Sequence, residues 1–328
     1  MKAGKLSDSA LRRSVIKQLH NSSDDILLQS GVGVDGSRIA WNCDEDVVLS
    51  MDPITLSRER IGWLGICAAL NDVACAGATP IAVLVSILLP TSASEQLLRD
   101  ILGDMRLACD PHGIAIIGGH TEVTRAVREP LVTVTGVGRV HKSHRMDAKD
   151  IAPDMDIVAT KWIGLEGTAI LASEKYEELA ERFTKPFLDQ AKAFYNYIPI
   201  WSEAAVAVKS GAGAMHDVSE GGIYGALWDM AERAGVGLEI DLQRIPIRQE
   251  TVEICEFFDL NPYKLLGGGC ALIAAKDGEG LVQAMERENI PAVVIGRTTD
   301  SNDRILFRGE DRRFLETTQT DELRRVFD

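Results

Sequence analysis

Residues 61–90 read IGWLGICAALNDVACAGATPIAVLVSILLP, and the fold class turns on this stretch. Ile61 to about Ala76 has the length of a helix and is built largely from small residues, so its backbone is expected to pack closely against a neighbour. Ile81 to Leu89 is an apolar run of strand length. After it, Ser92-x-x-Glu95 has the pattern of a reciprocal side-chain cap, which opens a helix to about Cys109. Further out, Val47 to Met51, Ile114 to Ile117 (ending in Gly118-Gly119) and Leu131 to Val140 read as strands, and Ser7 to about His20 as an opening helix. Strands separated by helices of this length predict an α/β (α+β) fold.

The polar stretch HKSHRMDAKDIAPDMD, residues 141–156, contains a turn-forming Ala-Pro-Asp and divides the chain into domains at 1–145 and 150–328. The second half repeats the style of the first. Asp156 to Trp162 is a strand, helices follow to Ser210, and AMHDV is a short strand. A helix over 219–235 then sets Ile223, Ala226, Leu227, Met230 and Ala234 on one face. Further strands fall near Gly237–Leu242, Cys270–Ala275 and Ala292–Ile295.

A chain of 328 residues, 45% hydrophobic and 26% charged, has the profile of a globular protein with room for two cores and a cleft. Its net charge of −14 repels a phosphate backbone over any broad surface, which argues against nucleic acid and anionic membrane as partners. A nucleotide can still bind where a divalent cation and backbone N–H groups supply a local positive field. Cys43, Cys67, Cys75, Cys109, Cys255 and Cys270 form no CxxC pair and no regular framework, as expected of reduced thiols in the cytoplasm. The longest apolar run, Ile81 to Pro90, is too short to span a bilayer, and the amino-terminal stretch lacks an apolar leader.

Several short constellations carry potential chemistry. Gly31-Val-Gly33-Val-Asp35-Gly36 spells a dinucleotide fingerprint, but strand and turn follow it instead of a helix, so the reading fails and Asp35 is left unexplained. In MDPIT, Pro53 forces Asp52 into an extended conformation, as a site carboxylate or as a turn initiator. Asn71-Asp72 lies among small and apolar neighbours, where a carboxylate is costly unless a cation or donors compensate it. Gly118-Gly119-His120-Thr121-Glu122 offers close backbone approach together with donors for phosphate or ribose, although His120 alone reads as an ordinary turn histidine. Asp217 ends a strand just before a helix, where it or Ser219 can serve as the N-cap. Asp44-Glu45-Asp46 reads as a solvated hairpin tip, and His141-Lys-Ser-His144 as a solvated turn. Walker A, GxSxG and HExxH patterns do not occur.

The co-linear set GKL (4–6), GVGVDG, SMDPIT, LNDVACAGATP, GGHTEVT, TGVG, GLEGTAILA, AMHDVSEGG and LLGGGCALIA spans nearly the whole chain. It resembles the AIR-synthase, selenophosphate-synthetase, thiamine-monophosphate-kinase and HypE superfamily, and most closely the hydrogenase-maturation HypE branch. The resemblance implies a two-domain fold in which an N-terminal mixed sheet with helices dimerises through its strands and a C-terminal α/β sandwich completes an ATP cleft. It implies Mg²⁺ and ATP, with Asp35, Asp52, Asp72 and Asp217 as Mg²⁺-phosphate residues and Asp52, Asp72 and Asp217 as the catalytic set. Asn71, Gly118, Gly119, His120, Thr121, Glu122, Gly136 and Gly138 join Asp35 around the nucleotide. The activity implied is ATP-dependent phosphorylation or dehydration of a carbonyl, amide or phosphate acceptor, small or protein-borne, in a homodimer. The alternative is a non-catalytic nucleotide-binding dimer acting in assembly or regulation, or a small-molecule kinase or synthetase of the same superfamily. The sequence departs from the HypE pattern at its end: the HypE carbamoyl acceptor is a terminal cysteine, whereas Arg324-Arg-Val-Phe-Asp328 stands here.

Overall fold

The computed structural model describes residues 26–28, 33–34, 37–40, 44–317 and 320–327. The expected Ser7–His20 helix and Asp35 lie outside the described residues. Two mixed sheets carry the fold. The first holds β1 (Ile26–Leu28), β2 (Ser37–Ala40), β3 (Glu45–Ile54), β4 (Thr79–Pro90), β5 (Ala115–Thr124) and β6 (Leu131–His141) in the order β1-β2-β3-β6-β4-β5. Its pairs are antiparallel except β4 with β5. The second holds β7 (Asp156–Thr160), β8 (Ala214–Asp217), β9 (Gly237–Asp241), β10 (Ala271–Ala275), β11 (Ala292–Thr299), β12 (Arg304–Arg308) and β13 (Asp311–Phe314), in the order β13-β12-β9-β11-β7-β10-β8. There only β9 and β12 run parallel.

The helices include α1 (Ile61–Cys75), α2 (Glu95–Cys109), α3 (Leu165–Glu174), α4 (Lys185–Lys192), α5 (Trp201–Lys209), α6 (Gly222–Ala234), α7 (Gln249–Phe257) and α8 (Gly278–Arg287). Helix α1 is apolar around nearly its whole circumference, as a fully enclosed helix must be. It fits because β6 carries Gly136 and Gly138 beneath it: a Cβ at Gly136 would press on the Ala69 carbonyl, and one at Gly138 would overlap Val73. One hydrophobic cluster runs from Val83 and Val134 in the first sheet through Ile66 and Leu70 of α1 to Met215 and Ile273 in the second.

Local details differ from the sequence expectations in three places. The cap of α2 is Ser94 rather than Ser92: Ser94 Oγ accepts from the Leu97 N–H at 3.2 Å, and Glu95 pairs forward with Arg99 instead of reaching back. β5 does not stop at Gly118-Gly119. Those residues adopt open backbone angles, φ 151° and 146°, and carry the strand straight on to Thr124. Asp46 is not solvated either, because it is fully buried in an ion pair with Arg145, while Asp44 stays exposed.

The joint between the two halves rests on the segment 197–200. Asn71, buried on α1, donates from Nδ2 to the Ile198 carbonyl at 3.0 Å and accepts at Oδ1 from the Ile200 N–H at 3.1 Å. From the other side Lys161 Nζ donates to the carbonyls of Tyr197 (2.7 Å) and Pro199 (2.8 Å) and pairs with Glu203 at 2.5 Å. Replacing Asn71 by Leu strands a buried N–H and a buried carbonyl. The expected loss is about 2–4 kcal/mol of unfolding free energy, read as a lower urea midpoint at unchanged slope. An unshifted midpoint would show that the amide does not carry the joint.

Candidate active site

Two carboxylates and a hydroxyl meet where α1 crosses β3. Asp52 lies in β3 opposite Val134 of β6, in the extended backbone that Pro53 dictates. Asp72 is on α1, directly after the clamped Asn71. Ser50 Oγ donates to Asp72 Oδ2 at 2.5 Å and stands 3.4 Å from Asp52 Oδ2. A hydroxyl has one proton, so it bonds one of these carboxylates strongly and leaves the other an oxygen acceptor beside it.

The second half supplies the opposing wall. Asp217 ends β8 and is buried, opposite Ala271 of β10. The N-cap of α6 is neither Asp217 nor Ser219 but Gly221, in the left-handed region at φ 92°. The Gly221 N–H donates instead to Asp321 Oδ2 at 2.7 Å, while Asp321 Oδ1 accepts from the N–H groups of Leu266 (3.1 Å) and Leu323 (2.8 Å). Burial pushes the Asp321 carboxyl up to about 6 despite those three donors.

Glu166, in the first turn of α3, was not singled out from the sequence. Burial pushes its carboxyl up to about 8; the charges of Asp321, Asp217 and Asp52 act in the same direction, and only the Gly268 N–H opposes them. A Cβ at Gly268 would meet the Glu166 carboxylate, which would have to move aside. A signal was present in the sequence: within GLEGTAILA, Glu166 is the one acid in an otherwise small and apolar stretch. Ser50 left no such mark, because a serine beside a strand carboxylate is common.

Other expected site residues lie apart or are used by the fold. The side chain of Asn71 is committed to the 198–200 backbone, and Gly136 and Gly138 face α1. Gly118 to Glu122 sit on the edge strand β5, with His120 Nε2 3.2 Å from Glu122 Oε2 and both side chains exposed. The register runs Asp52–Val134–Val85–Gly119, so this stretch is three strand spacings, about 14 Å, from Asp52 within one chain. A Cβ at Gly119 would strike the backbone of Val85, so strand pairing alone accounts for that glycine.

Among the described residues no three His, Cys, Asp or Glu side chains form a metal-holding group by themselves, and no helix is long and apolar enough to cross a membrane. The donor set nonetheless suits Mg²⁺, a hard cation usually held by one or two carboxylates plus phosphate and water oxygens. The described cysteines, Cys67, Cys75, Cys109, Cys255 and Cys270, are all buried, and burial pushes Cys270 up to about 12. None is a ready nucleophile.

The AIR synthase related protein N-terminal domain matches residues 33–140, and the AIR synthase related protein C-terminal domain matches 152–308. The chain belongs to the AIR synthase related family. Carbamoyl dehydratase HypE of Rhodobacter capsulatus is 28% identical to this AIR synthase related protein over 277 residues, which is 83% of this chain and 78% of that one. Thiamine-monophosphate kinase of Methanospirillum hungatei is also 28% identical, over 253 residues, 76% of this chain and 77% of its own. The crystal structure of hydrogenase maturation protein HypE in complex with ATP superposes at a TM-score of 0.73 with 18% identity, covering 99% of this chain and 98% of that one.

Glu166 offers a test of how far this AIR synthase related protein holds its cleft acids against burial. A carboxyl raised in the folded state favours the protonated form, so it costs stability increasingly as pH rises from its ordinary 4.5 to about 8. Glu166→Gln should therefore melt above the wild type at pH 8, and the gap should close toward pH 4.5 in scanning calorimetry. A variant that melts no higher than wild type at pH 8 contradicts this.

Proposed function

We propose that this chain is an ATP-dependent enzyme that uses Mg²⁺ and transfers the γ-phosphoryl group to, or drives dehydration of, a carbonyl, amide or phosphate acceptor. The observation that carries the reading is the Ser50 hydroxyl placed between Asp52 on β3 and Asp72 on α1. Two hard oxygen donors from separate elements suit a divalent cation that phosphate and water complete. Asp217 joins them from the second half, and Asp35 belongs to the set by family resemblance. When bound, Mg²⁺ neutralises charge on the phosphates. Positioning and charge neutralisation are most of what phosphoryl transfer requires, so the chain needs no nucleophile of its own.

The relatives support this range of acceptors rather than a single one. One is named as a carbamoyl dehydratase, another as a thiamine-monophosphate kinase, and the HypE structure holds ATP. With every described cysteine buried, the acceptor is taken to be an oxygen or nitrogen group that enters the cleft.

We infer a homodimer formed through the first sheet. Met51 (64% exposed) and Leu84 (41%) share one cross-sheet row through Thr135, so they point to the same side, and Ile117 on the edge strand is 60% exposed. Apolar side chains in such number on an open sheet favour a second sheet as cover. Leu84→Arg with Ile117→Arg should shift the sedimenting species from dimer to monomer; a dimer that survives both charges lies elsewhere.

For the nucleotide site, Asp72→Asn and Asp217→Asn are each expected to weaken Mg-ATP binding tenfold or more by titration calorimetry. The melting temperature without nucleotide should stay unchanged or rise, because each change removes a carboxylate held in a crowded place. Variants that unfold, or that bind Mg-ATP as tightly as wild type, would make these carboxylates structural.

A further inference from the structure

Helix α6 is capped from far along the chain. Its N-cap, Gly221, brings no side chain, and the first N–H groups of a helix are donors that favour a negative charge. Neither Asp217 nor Ser219 serves there. Instead Asp321, one hundred residues on, accepts the Gly221 N–H at Oδ2 at 2.7 Å. Its other oxygen accepts the N–H groups of Leu266 at 3.1 Å and Leu323 at 2.8 Å. One carboxylate, 1% exposed, therefore spans two turns that are distant in sequence.

Both turns lead into the candidate site. Gly221 lies four residues after Asp217, and Leu266 two before Gly268, whose N–H meets Glu166. The turns also touch directly, since the Gly267 N–H donates to the Ser219 carbonyl at 3.3 Å and a Cβ at Gly267 would overlap Val218. That bond is longer than the charge-assisted one from Gly221, so the carboxylate is the firmer tie. Asp321 is itself held in place. Leu323 beside it is fully buried, Arg324 pairs with Glu220 at 3.0 Å, and Glu322 Oε2 accepts the Asn261 N–H at 3.1 Å.

We propose that Asp321 is a positioning residue for the Mg-phosphate site: by holding the turn after β8 against the turn before β10, it sets how Asp217 and Glu166 stand relative to each other. The inference rests on the reading of Asp217 as a phosphate-site carboxylate. Burial and then the charges of Asp321, Asp217 and Asp52 push the Glu166 carboxyl up, while Glu220 is the acid that acts on Asp321. If the turns part, Glu166 gains water and titrates nearer its ordinary range.

Two measurements on the full chain test this. The first needs no nucleotide: the gain in melting temperature that Glu166→Gln gives at pH 8, measured in the wild-type, Asp321→Asn and Asp321→Glu backgrounds. Asparagine offers one acceptor oxygen and cannot hold both turns; glutamate keeps the charge but lengthens the arm. The gain should fall to about half or less in both backgrounds, whereas a residue that only stabilises the fold lowers every melting temperature and leaves the gain as it was. The second is Mg-ATP affinity by titration calorimetry, below the melting range of each protein. Asp321→Asn should weaken binding about three- to tenfold, the effect of about one hydrogen bond, with no further loss when it is added to Asp217→Asn. Arg325→Ala, in the same segment but exposed and paired with Glu322 and Asp259, should bind as wild type does. Should Asp321→Asn fail to fold, Asp321→Glu carries both measurements. The proposal is overturned if the gain is equal in all backgrounds, if only the charge-removing variant lowers it, or if the Asp321 variants bind Mg-ATP as wild type does. That last result leaves the nucleotide reading intact; a wild type that binds no Mg-ATP removes the nucleotide reading and this role together.

Discussion

The amide of Asn71 is the constraint on which the arrangement of the site depends. A buried carboxamide that donates to one backbone carbonyl and accepts from an N–H two residues on reads both rotation and depth, so α1 cannot turn or slide without losing both bonds. Asp72 is the next residue, about 100° further round the same helix. Fixing Asn71 against the second half therefore fixes Asp72 toward Ser50 and β3 in the first. The dipeptide Asn71-Asp72 thus divides the labour: one residue holds the halves in register, and the other presents a carboxylate at a place set by that register. The glycines of β6 complete the scheme, because α1 can lie this close to the sheet only where Gly136 and Gly138 leave room.

What the amino-acid sequence revealed follows from which signals are local. Helix α1 and strand β4 were legible because length and an unbroken run of small or apolar residues admit few other structures. The strand ends were less so. Two glycines serve equally to stop a strand or to extend it through angles other residues avoid, and at Gly118-Gly119 the pairing with β4 chose extension. Ser92 and Ser94 are both competent caps, and only the tertiary start of α2 selects between them. Asp46 looked solvated beside Asp44 and Glu45 because strand alternation, which turns Glu45 outward and Asp46 inward to Arg145, depends on where the sheet lies. β12 and β13 are short strands at one end of the second sheet, and arginines and an aspartate at their ends break up any clear strand pattern. Within the site, Asp52, Asp72 and Asp217 were readable as costly or specially placed carboxylates. Glu166 carried only the mark of one acid in an apolar stretch, and Asp321 carried none, because its meaning comes from the N–H groups of Gly221 and Leu266, 100 and 55 residues away.

The concentration of acids at this cleft runs against ordinary folding economy. Glu166 and Asp321 are both pushed upward by burial, and the neighbouring Asp217 and Asp52 push Glu166 the same way. A chain selected only for stability would replace such groups, since swapping a buried like-charged carboxyl for a neutral isostere relieves desolvation and repulsion together. Elsewhere the chain places buried charge differently: Asp46 meets Arg145, Lys161 meets Glu203, and Asp147 meets Arg233. Unlike-charge pairs neutralise these framework groups, whereas Glu166 is surrounded by three other carboxylates. That contrast, more than any single shifted group, is what makes this cluster the candidate site.

Asp321 shows how the crowding is contained. Its two oxygens gather N–H groups from Gly221, Leu266 and Leu323, which belong to the turn before α6, the glycine-rich turn before β10 and its own segment. Each turn is glycine-rich, with Gly221 and Gly222 in the first and Gly267 to Gly269 in the second, and such backbone has many alternative conformations to lose. A carboxylate accepts several N–H bonds at once, whereas a neutral amide oxygen does so less strongly, so the charge is what lets one side chain bind both turns. The turns in turn border Asp217 and Glu166. Keeping Asp321 ionised inside the protein costs desolvation, and what it holds together is the turn that follows Asp217 and the turn that borders Glu166.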